Sequence, residues 1–324
     1  MFQDFQACWT PILPSTALKA APVGSQLASE KVVLFRDAQG VARALMDRCP
    51  HRGVELSIGT VKDGQLVCPF HGWRFQGDGA CAHVPYNPDA KRQNLGATAL
   101  PTHEAGGLIW VYTAPVAAAP DLPHIPEALL RDDVSIFIHH EEWACHWTRA
   151  MENMLDFPHL PFVHGGTIGS DLKKRLTDST QMEQRIEPVP HGFVSHTTIA
   201  GQPDARLEWM RPNGMTLHIS DTGFFLRMHV WCVPTGPNRT RMILTAVRGF
   251  GLYNPFFMLT DRFNLRILRE DKAVVESSFP VEVPPPSEEV SVASDKTTLR
   301  FRQWYYAHLK DGGAERDAPK SAAG

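Results

Sequence analysis

The apolar positions of this chain fall first into short strand-like runs and only later into helical spacing. Val32 to Phe35 and Ala42 to Met46 flank a turn at Asp37 to Gly40, and the same texture returns at Leu66 to Cys68 and Leu108 to Tyr112. Short apolar runs bounded by Gly and Pro read as strands, here of a small antiparallel domain that carries its chemistry on loop tips. The stretch from Pro115 to Pro126 holds four prolines and no periodicity, which predicts a stiff connector. A strand is expected over Val134 to His140. It leads into a helix from about Glu142 to Asp156, where Trp143, Trp147, Met151 and Leu155 recur at every fourth position as an apolar stripe. Alternation over Met215 to Ser220, Phe224 to Val230 and Met242 to Val247 predicts a broad antiparallel sheet. A long helix is expected to close the structure, with Asn254 as N-cap, Pro255 at the first helical position and an end near Glu276. The tail from Asp311 is too polar and small to pack, and there is no internal repeat.

A length of 324 residues is comfortable for two domains, divided at the connector into 1–117 and 118–324. The 32 basic and 35 acidic residues leave a formal charge of -3, so nothing recommends a nucleic-acid partner, and a small neutral substrate is expected. No apolar run reaches bilayer length, and Met1 to Thr10 contains an acid and no basic leader segment; a soluble cytoplasmic protein is expected. Cys8, Cys81, Cys145 and Cys232 are scattered without a disulfide framework and read as reduced core residues.

The strongest chemical signal is Cys49, His51, Cys68 and His71, written CPHR and CPFHGW with sixteen residues between His51 and Cys68. Each finger offers one thiolate and one imidazole. Two sulfide-bridged irons can take both cysteines on one iron and both histidines on the other, the Rieske arrangement of a [2Fe-2S] centre. Neutral imidazoles in place of thiolates raise the reduction potential, so such a cluster accepts an electron readily and passes it on. A structural zinc site is the competing reading, since zinc also takes two cysteines and two histidines. Zinc modules usually pair like with like, however, and here Gly53, Gly72 and Trp73 flank the ligands as tight cluster loops require.

A second constellation is Asn153, Asp156, His159 and His164, spaced N-x2-D-x2-H-x4-H. Five residues turn an ideal helix by about 500°, which leaves the two histidines about 140° apart and unable to share an ion on a regular helix. Pro158 and Pro161 supply a break: Pro161 is expected to push Leu160 out of helical angles and redirect His164. Two histidines and a carboxylate form the facial triad that leaves Fe(II) open positions. For the carboxylate, Phe263, Ile267, Asp271 and Val274 follow one another at helical intervals, which places Asp271 on an apolar stripe where a bare charge is costly unless a metal binds it. Glu270 competes but sits off that stripe and can pair with Arg266. Asp204 and Asp221 are weaker candidates, and an ion pair with Arg266 or Arg269 is the bland alternative for Asp271. Asp156, three residues before His159, can fix that imidazole's tautomer; with Asn153 it makes the candidate catalytic pair. Candidate pocket walls, each more readily read as plain core, are Phe162, Leu217, Ile219, Phe224 and Met228.

With both centres in place, and with Arg74, Phe75, Gly77 and Gly79 continuing the pattern after the second finger, the chain resembles the oxygenase component of the Rieske non-heme iron oxygenases over nearly its whole length. The segment from Asn153 to His164 and the short length are similar to the monooxygenase branches, such as the pheophorbide oxygenase and dicamba demethylase-like groups. His146-Trp147 departs from the Asn-Trp of many members. The resemblance implies an α+β fold: an N-terminal antiparallel-β Rieske domain, then a C-terminal helix-grip domain enclosing the mononuclear iron. It also implies dioxygen as cosubstrate, NADH electrons through a separate reductase and sometimes a ferredoxin, and Glu270-Asp271 with Glu276 as the surroundings of the carboxylate ligand. A homotrimer follows from it, in which Asp156 bridges one subunit's iron to the neighbour's cluster. The implied reaction is oxidation of an apolar small molecule, aromatic ones included. A cis-dihydroxylating dioxygenase and, in a different class, an electron carrier without a catalytic iron remain open.

Overall fold

The computed structural model describes residues 1–115, 120–199, 205–221, 225–249 and 257–311, with the backbone alone at 257–259. Two compact units emerge: Met1–Leu130 with Pro234–Gly236, and Arg131–Val233 with Pro237–Gly324.

The first unit is built from eleven short strands: β1 (Trp9–Pro14), β2 (Val23–Leu27), β3 (Glu30–Arg36), β4 (Ala42–Met46), β5 (Thr60–Lys62), β6 (Gln65–Val67), β7 (Arg74–Phe75), β8 (Cys81–His83), β9 (Ala99–Leu100), β10 (Thr102–Ala105) and β11 (Leu108–Tyr112). They make three antiparallel sheets, ordered β1-β11-β10, β2-β3-β4-β9 and β5-β6-β7-β8. The apolar runs at 32–35, 42–46, 66–67 and 108–112 form strands as expected, and those of β3, β4 and β6 share one core. Val33, Phe35, Leu45, Leu56, Leu66 and Phe75 are fully buried in it, together with the two finger cysteines.

The second unit holds a seven-stranded antiparallel sheet of β12 (Ser135–Trp143), β13 (Met182–Val189), β14 (Gly192–Ile199), β15 (Ala205–Met210), β16 (Gly214–Ser220), β17 (Leu226–Gly236) and β18 (Arg239–Arg248), ordered β12-β18-β17-β16-β15-β14-β13. Five helices accompany it: α1 (Trp147–Leu155), α2 (Leu160–Val163), α3 (Ser170–Arg175), α4 (Phe257–Val275) and α5 (Lys296–His308). The fold class is α+β. No helix among the described residues is long and apolar enough to cross a membrane.

Several expectations need correction. The strand expected to end at His140 continues to Trp143, and α1 begins only at Trp147. Trp143, Trp147, Met151 and Leu155 are all buried, but the fourfold recurrence runs across a strand–helix junction and so overstates the helix. His146 is the N-cap, its Nδ1 facing the Thr148 backbone N–H at 3.4 Å, which gives the Asn-to-His departure a local purpose. The long helix α4 does not close the structure. It is followed by α5, whose Thr297, Phe301, Arg302 and Tyr305 are buried, with Phe301 and Tyr305 set edge-on to Trp147. Asn254, Pro255 and the tail beyond residue 311 lie outside the described residues.

Candidate metal centres and their cavity

The two fingers of the first unit are copies of one loop. After β4, the Cys49 N–H donates to the Val54 carbonyl at 2.8 Å and the Gly53 N–H to the Cys49 carbonyl at 2.8 Å. After β6, the Cys68 N–H donates to Trp73 at 2.8 Å and the Gly72 N–H to Cys68 at 3.0 Å. Both closures require a left-handed residue, supplied by Gly53 at φ +73° and Gly72 at φ +71°. The result is two sulfurs buried in the core, with two imidazoles, His51 and His71, exposed at the tips and 4.7 Å apart between ring centres. Trp73 stacks on His51 at 4.7 Å with nearly parallel planes and fixes its orientation. Burial pushes the Cys49 thiol up to about 11, and the adjacent Cys68 thiol adds to the rise, while the backbone N–H groups of His51 and Arg52 oppose it. Amides aimed at a buried sulfur suit a thiolate that must carry charge on a metal.

In the second unit, a different kind of convergence appears. α1 stops at Leu155, Asp156 is extended (φ -79°, ψ 137°), and the chain re-enters a four-residue helix, α2, capped by His159 at one end and His164 at the other. The break therefore falls before Pro158, which biases Phe157 away from helical angles. Pro161 is not the breaker: Leu160 is helical, and Pro161 occupies the first turn of α2, where its missing N–H costs nothing. Ending one helix and starting another solves the angular problem of the x4 spacing.

Asp271 comes from α4, and its carboxylate is buried with 4% of the residue exposed. The expected stripe holds in part: Phe263, 43% exposed, and Ile267 line a cavity beside Asp271, whereas Val274 is 49% exposed and lies off it. The most buried face runs through Leu268, Asp271 and Val275, each 4% exposed. Asp271 belongs to both readings, which is why its burial survives the shift of face.

One ligand atom each from His159, His164 and Asp271 lies within 4.8 Å of the other two. Asp271 Oδ1 stands 3.0 Å from His164 Nε2 and 3.5 Å from His159 Nε2, yet it is buried without an aligned hydrogen bond among the described residues. Lone pairs that meet without a proton between them are what a cation site leaves. The far nitrogens are both held: His159 Nδ1 donates to Asp156 Oδ2 at 3.0 Å, and His164 Nδ1 donates to Glu270 Oε2 at 2.9 Å. Each carboxylate is further fixed. The His159 backbone N–H donates to Asp156 at 3.0 Å, and the Thr167 hydroxyl donates to Glu270 at 2.8 Å. Carboxylates at Nδ1 keep the proton there and leave Nε2 free to bind a metal. Burial works to lower the His164 pKa, but the Asp271 and Glu270 carboxylates outweigh it and raise the value. Glu270 is partly desolvated, yet His164, Thr167 and Arg266 hold its carboxyl below the usual range.

These atoms open into a cavity of about 320 Å³. One wall is a single face of the sheet, with Leu207, Leu217, Met228 and Leu244 on the four neighbouring strands β15 to β18; α1 and α4 form the other, and Asn153, Asp156 and Arg248 are among the few polar lining residues.

Residues 8–103 match the Rieske [2Fe-2S] domain family, and residues 143–311 match the Vanillate O-demethylase oxygenase C-terminal domain. The chain belongs to the Rieske non-heme iron oxygenases. It is 28% identical over 348 residues to the methylxanthine N1-demethylase of Pseudomonas putida, covering 96% of this chain and 92% of that relative. It is 38% identical over 164 residues to the chloroplastic chlorophyllide a oxygenase of Chlamydomonas reinhardtii, covering 49% of this chain and 24% of that longer relative. The solved structure of Pseudomonas putida NdmA has the same fold, with a TM-score of 0.80 at 24% identity over 95% of this chain and 96% of that one. The Rieske oxygenase is thus an oxidoreductase whose cofactors are a [2Fe-2S] cluster and a mononuclear iron, working with dioxygen and reductase-supplied electrons.

Of the wall residues expected for this oxygenase, Leu217, Ile219 and Met228 line the cavity, whereas Phe162 is 74% exposed and borders a separate groove beside α3. Phe224 and Asp204 lie outside the described residues. Asp221 is committed to Arg227 at 2.9 Å. Asn153 reaches the cavity wall with a buried Nδ2 that has no hydrogen-bond partner among the described residues. Glu276 is not among the cavity lining; it accepts the Ala144 N–H at 2.7 Å and ties the end of α4 to the junction between β12 and α1. The sequence paired Glu270 with Arg266, a pair that does form at 3.1 Å, and the resemblance placed it in the surroundings of the carboxylate ligand, but its bond to His164 was missed. The signal was available in the adjacency of Glu270 and Asp271, one for each side of a ring held between them. None of the six cysteines is disulfide-bonded.

Proposed function

We propose that this chain is the terminal oxygenase of a multicomponent system that hydroxylates or oxidatively demethylates an uncharged, largely apolar molecule of one or two rings. The observation that carries the reading is the convergence of His159 Nε2, His164 Nε2 and Asp271 Oδ1, without a shared proton, at the wall of an apolar cavity. In the proposal, Cys49, Cys68, His51 and His71 hold the cluster, and His159, His164 and Asp271 hold the iron. When bound, the cluster supplies single electrons and the ferrous iron supplies dioxygen activation. The chain's own residues do the rest. Asp156 and Glu270 keep Nδ1 protonated and orient the two rings, the sheet face excludes water, and Asn153 and Asp156 line the approach. The cavity volume suits a small ring system better than a large pigment. The demethylase named among the relatives favours hydroxylation of a heteroatom-bound methyl group, whose carbon then leaves as formaldehyde while the heteroatom keeps a proton.

The functional domains in this reading are residues 1–117 for the cluster and 118–324 for the iron, supported by the matched ranges 8–103 and 143–311. The same reading makes it a cytoplasmic homotrimer served by a reductase and in some systems a ferredoxin, with Asp156 facing the neighbour's cluster.

Metal analysis tests it directly. Anaerobically reconstituted protein is expected to contain about three irons and two labile sulfides per chain. His159→Ala is expected to lose one iron and all turnover while keeping the visible spectrum of the cluster. A variant that still oxidised substrate would overturn the assignment of the mononuclear iron to His159, whereas a wild type with about two irons per chain would leave only an electron carrier. Incorporation of labelled dioxygen, one atom against two, separates monooxygenation from cis-dihydroxylation.

A further inference from the structure

Among the polar groups of the cavity that the proposed metal ligands do not use is a carboxamide on α4. Asn264 lies on α4 seven residues before Asp271, two helical turns away, so both face the cavity about 10 Å apart along the helix axis. Asn264 is partly buried among Leu226, Leu244, Phe263 and Leu268 in the cavity lining, and its carboxamide makes no hydrogen bond to any described residue. A carboxamide offers both a donor and an acceptor, and a ligand that displaces water from it without replacing its bonds loses affinity.

The charge at that end of α4 is already balanced. Arg248, 4% exposed on the cavity wall, is paired with Asp261, one turn before Asn264. A guanidinium neutralised by a neighbouring carboxylate has little left to attract a second anion, and desolvating an anionic substrate there would be costly. An uncharged carbonyl or amide meets no such penalty.

We infer that Asn264 is the specificity-determining residue of the cavity. It hydrogen-bonds an uncharged carbonyl or amide at one end of a flat substrate and so presents the carbon at the opposite end to His159, His164 and Asp271. This inference rests on the proposed oxygenase reading and narrows its substrate class. The separation of Asn264 from Asp271 fits one ring with a polar substituent placed opposite the oxidised methyl group.

The test uses anaerobic ferrous holoenzyme, so that binding is read without turnover. Three probes of matched shape, para-methoxybenzamide, para-methoxytoluene and para-methoxybenzoate, are titrated by calorimetry into wild type and Asn264→Leu. In wild type the benzamide is expected to bind more tightly than the benzoate. The preference for benzamide over the toluene probe is expected to fall by about 2- to 12-fold in Asn264→Leu, the worth of one net hydrogen bond. Iron content and cluster spectrum are expected to stay unchanged, which shows that the variant is folded. An unaltered preference in the variant, tighter binding of the benzoate by wild type, or no binding of any probe overturns the inference. Each of these leaves the oxygenase reading standing as long as about three irons per chain are present, whereas a missing mononuclear iron removes that reading itself.

Discussion

Glu270 holds His164 from behind: its Oε2 accepts the Nδ1 proton at 2.9 Å while the other ring nitrogen faces Asp271 at 3.0 Å. Adjacent residues of α4 thus serve one imidazole from two sides, because a step of about 100° along the helix separates their side chains enough to bracket a ring. Replacing Glu270 by Ala is expected to weaken iron binding by about 10- to 100-fold, the usual cost of losing such a partner, while Glu270→Gln, which keeps an acceptor, loses less. Iron competition against a chelator of known affinity measures this, and equal losses in the two variants would argue against an orienting role.

Asp271 sets a trade between stability and metal. Its buried Oδ1 has no hydrogen-bond partner among the described residues, so the carboxylate is costly until an ion neutralises it. Asp271→Asn is expected to abolish iron binding yet leave the metal-free protein as stable as wild type or more so. Urea unfolding of both proteins after iron removal checks this; a clear loss of stability in the metal-free variant would contradict it.

Four charges lock α1 to α5 on the side of α1 away from the metal ligands. Glu152 Oε2 accepts from Arg302 Nη2 at 2.9 Å and lies 3.4 Å from Arg149 Nη1, and Glu289 joins Arg302 at 2.6 Å and Arg149 at 2.8 Å. Burial raises the Glu152 pKa despite both cations, so the carboxylate depends on them to stay ionised. Arg302→Met leaves Glu152 buried with half its compensation and is expected to destabilise the fold by about 3–5 kcal/mol. Denaturant midpoints measure the loss, and Glu152→Gln in the same background should recover part of it.

His229 on β17 makes stability depend on pH. It is fully buried, with Nδ1 2.8 Å from the Thr216 hydroxyl and no hydrogen-bond partner for Nε2 among the described residues. Burial lowers its pKa to about 3, with the charges of His218 and Arg227 adding to the shift and Glu208 opposing it. The unfolded chain takes up this proton near pH 6.5 while the folded chain refuses it. The contribution is therefore complete above pH 6.5 and is lost as pH falls toward 3, with a slope of at most about 1.4 kcal/mol per pH unit. Unfolding free energies of wild type and His229→Gln, compared between pH 7 and pH 4, should converge on acidification; parallel curves would refute the assignment.

The contrast between Cys49 and Glu270 shows how far the sequence alone reaches. Cys49, His51, Cys68 and His71 could be read directly because each finger closes within a few residues, and the glycines and ligands that a tight loop needs are local in sequence. The strands around them were legible for the same reason, since short alternating runs need only one core to define their inward side. His159 and His164 were likewise visible, and the helix end expected near Asp156 holds to within a residue, but the sequence assigned part of the break to Pro161 because either proline could end a helix. What tertiary structure alone decided is the side of α4 that faces inward, and with it the Glu270 bond to His164 and the place of Asn264 in the cavity. A helix with apolar residues at several overlapping spacings can bury either of two neighbouring stripes, and only packing against the sheet and α1 selects one. The proposed ligand set thus follows from residue type and spacing, whereas the orientation of His164 and the shape of the cavity come from contacts between distant segments, more than a hundred residues apart for Glu270 and His164.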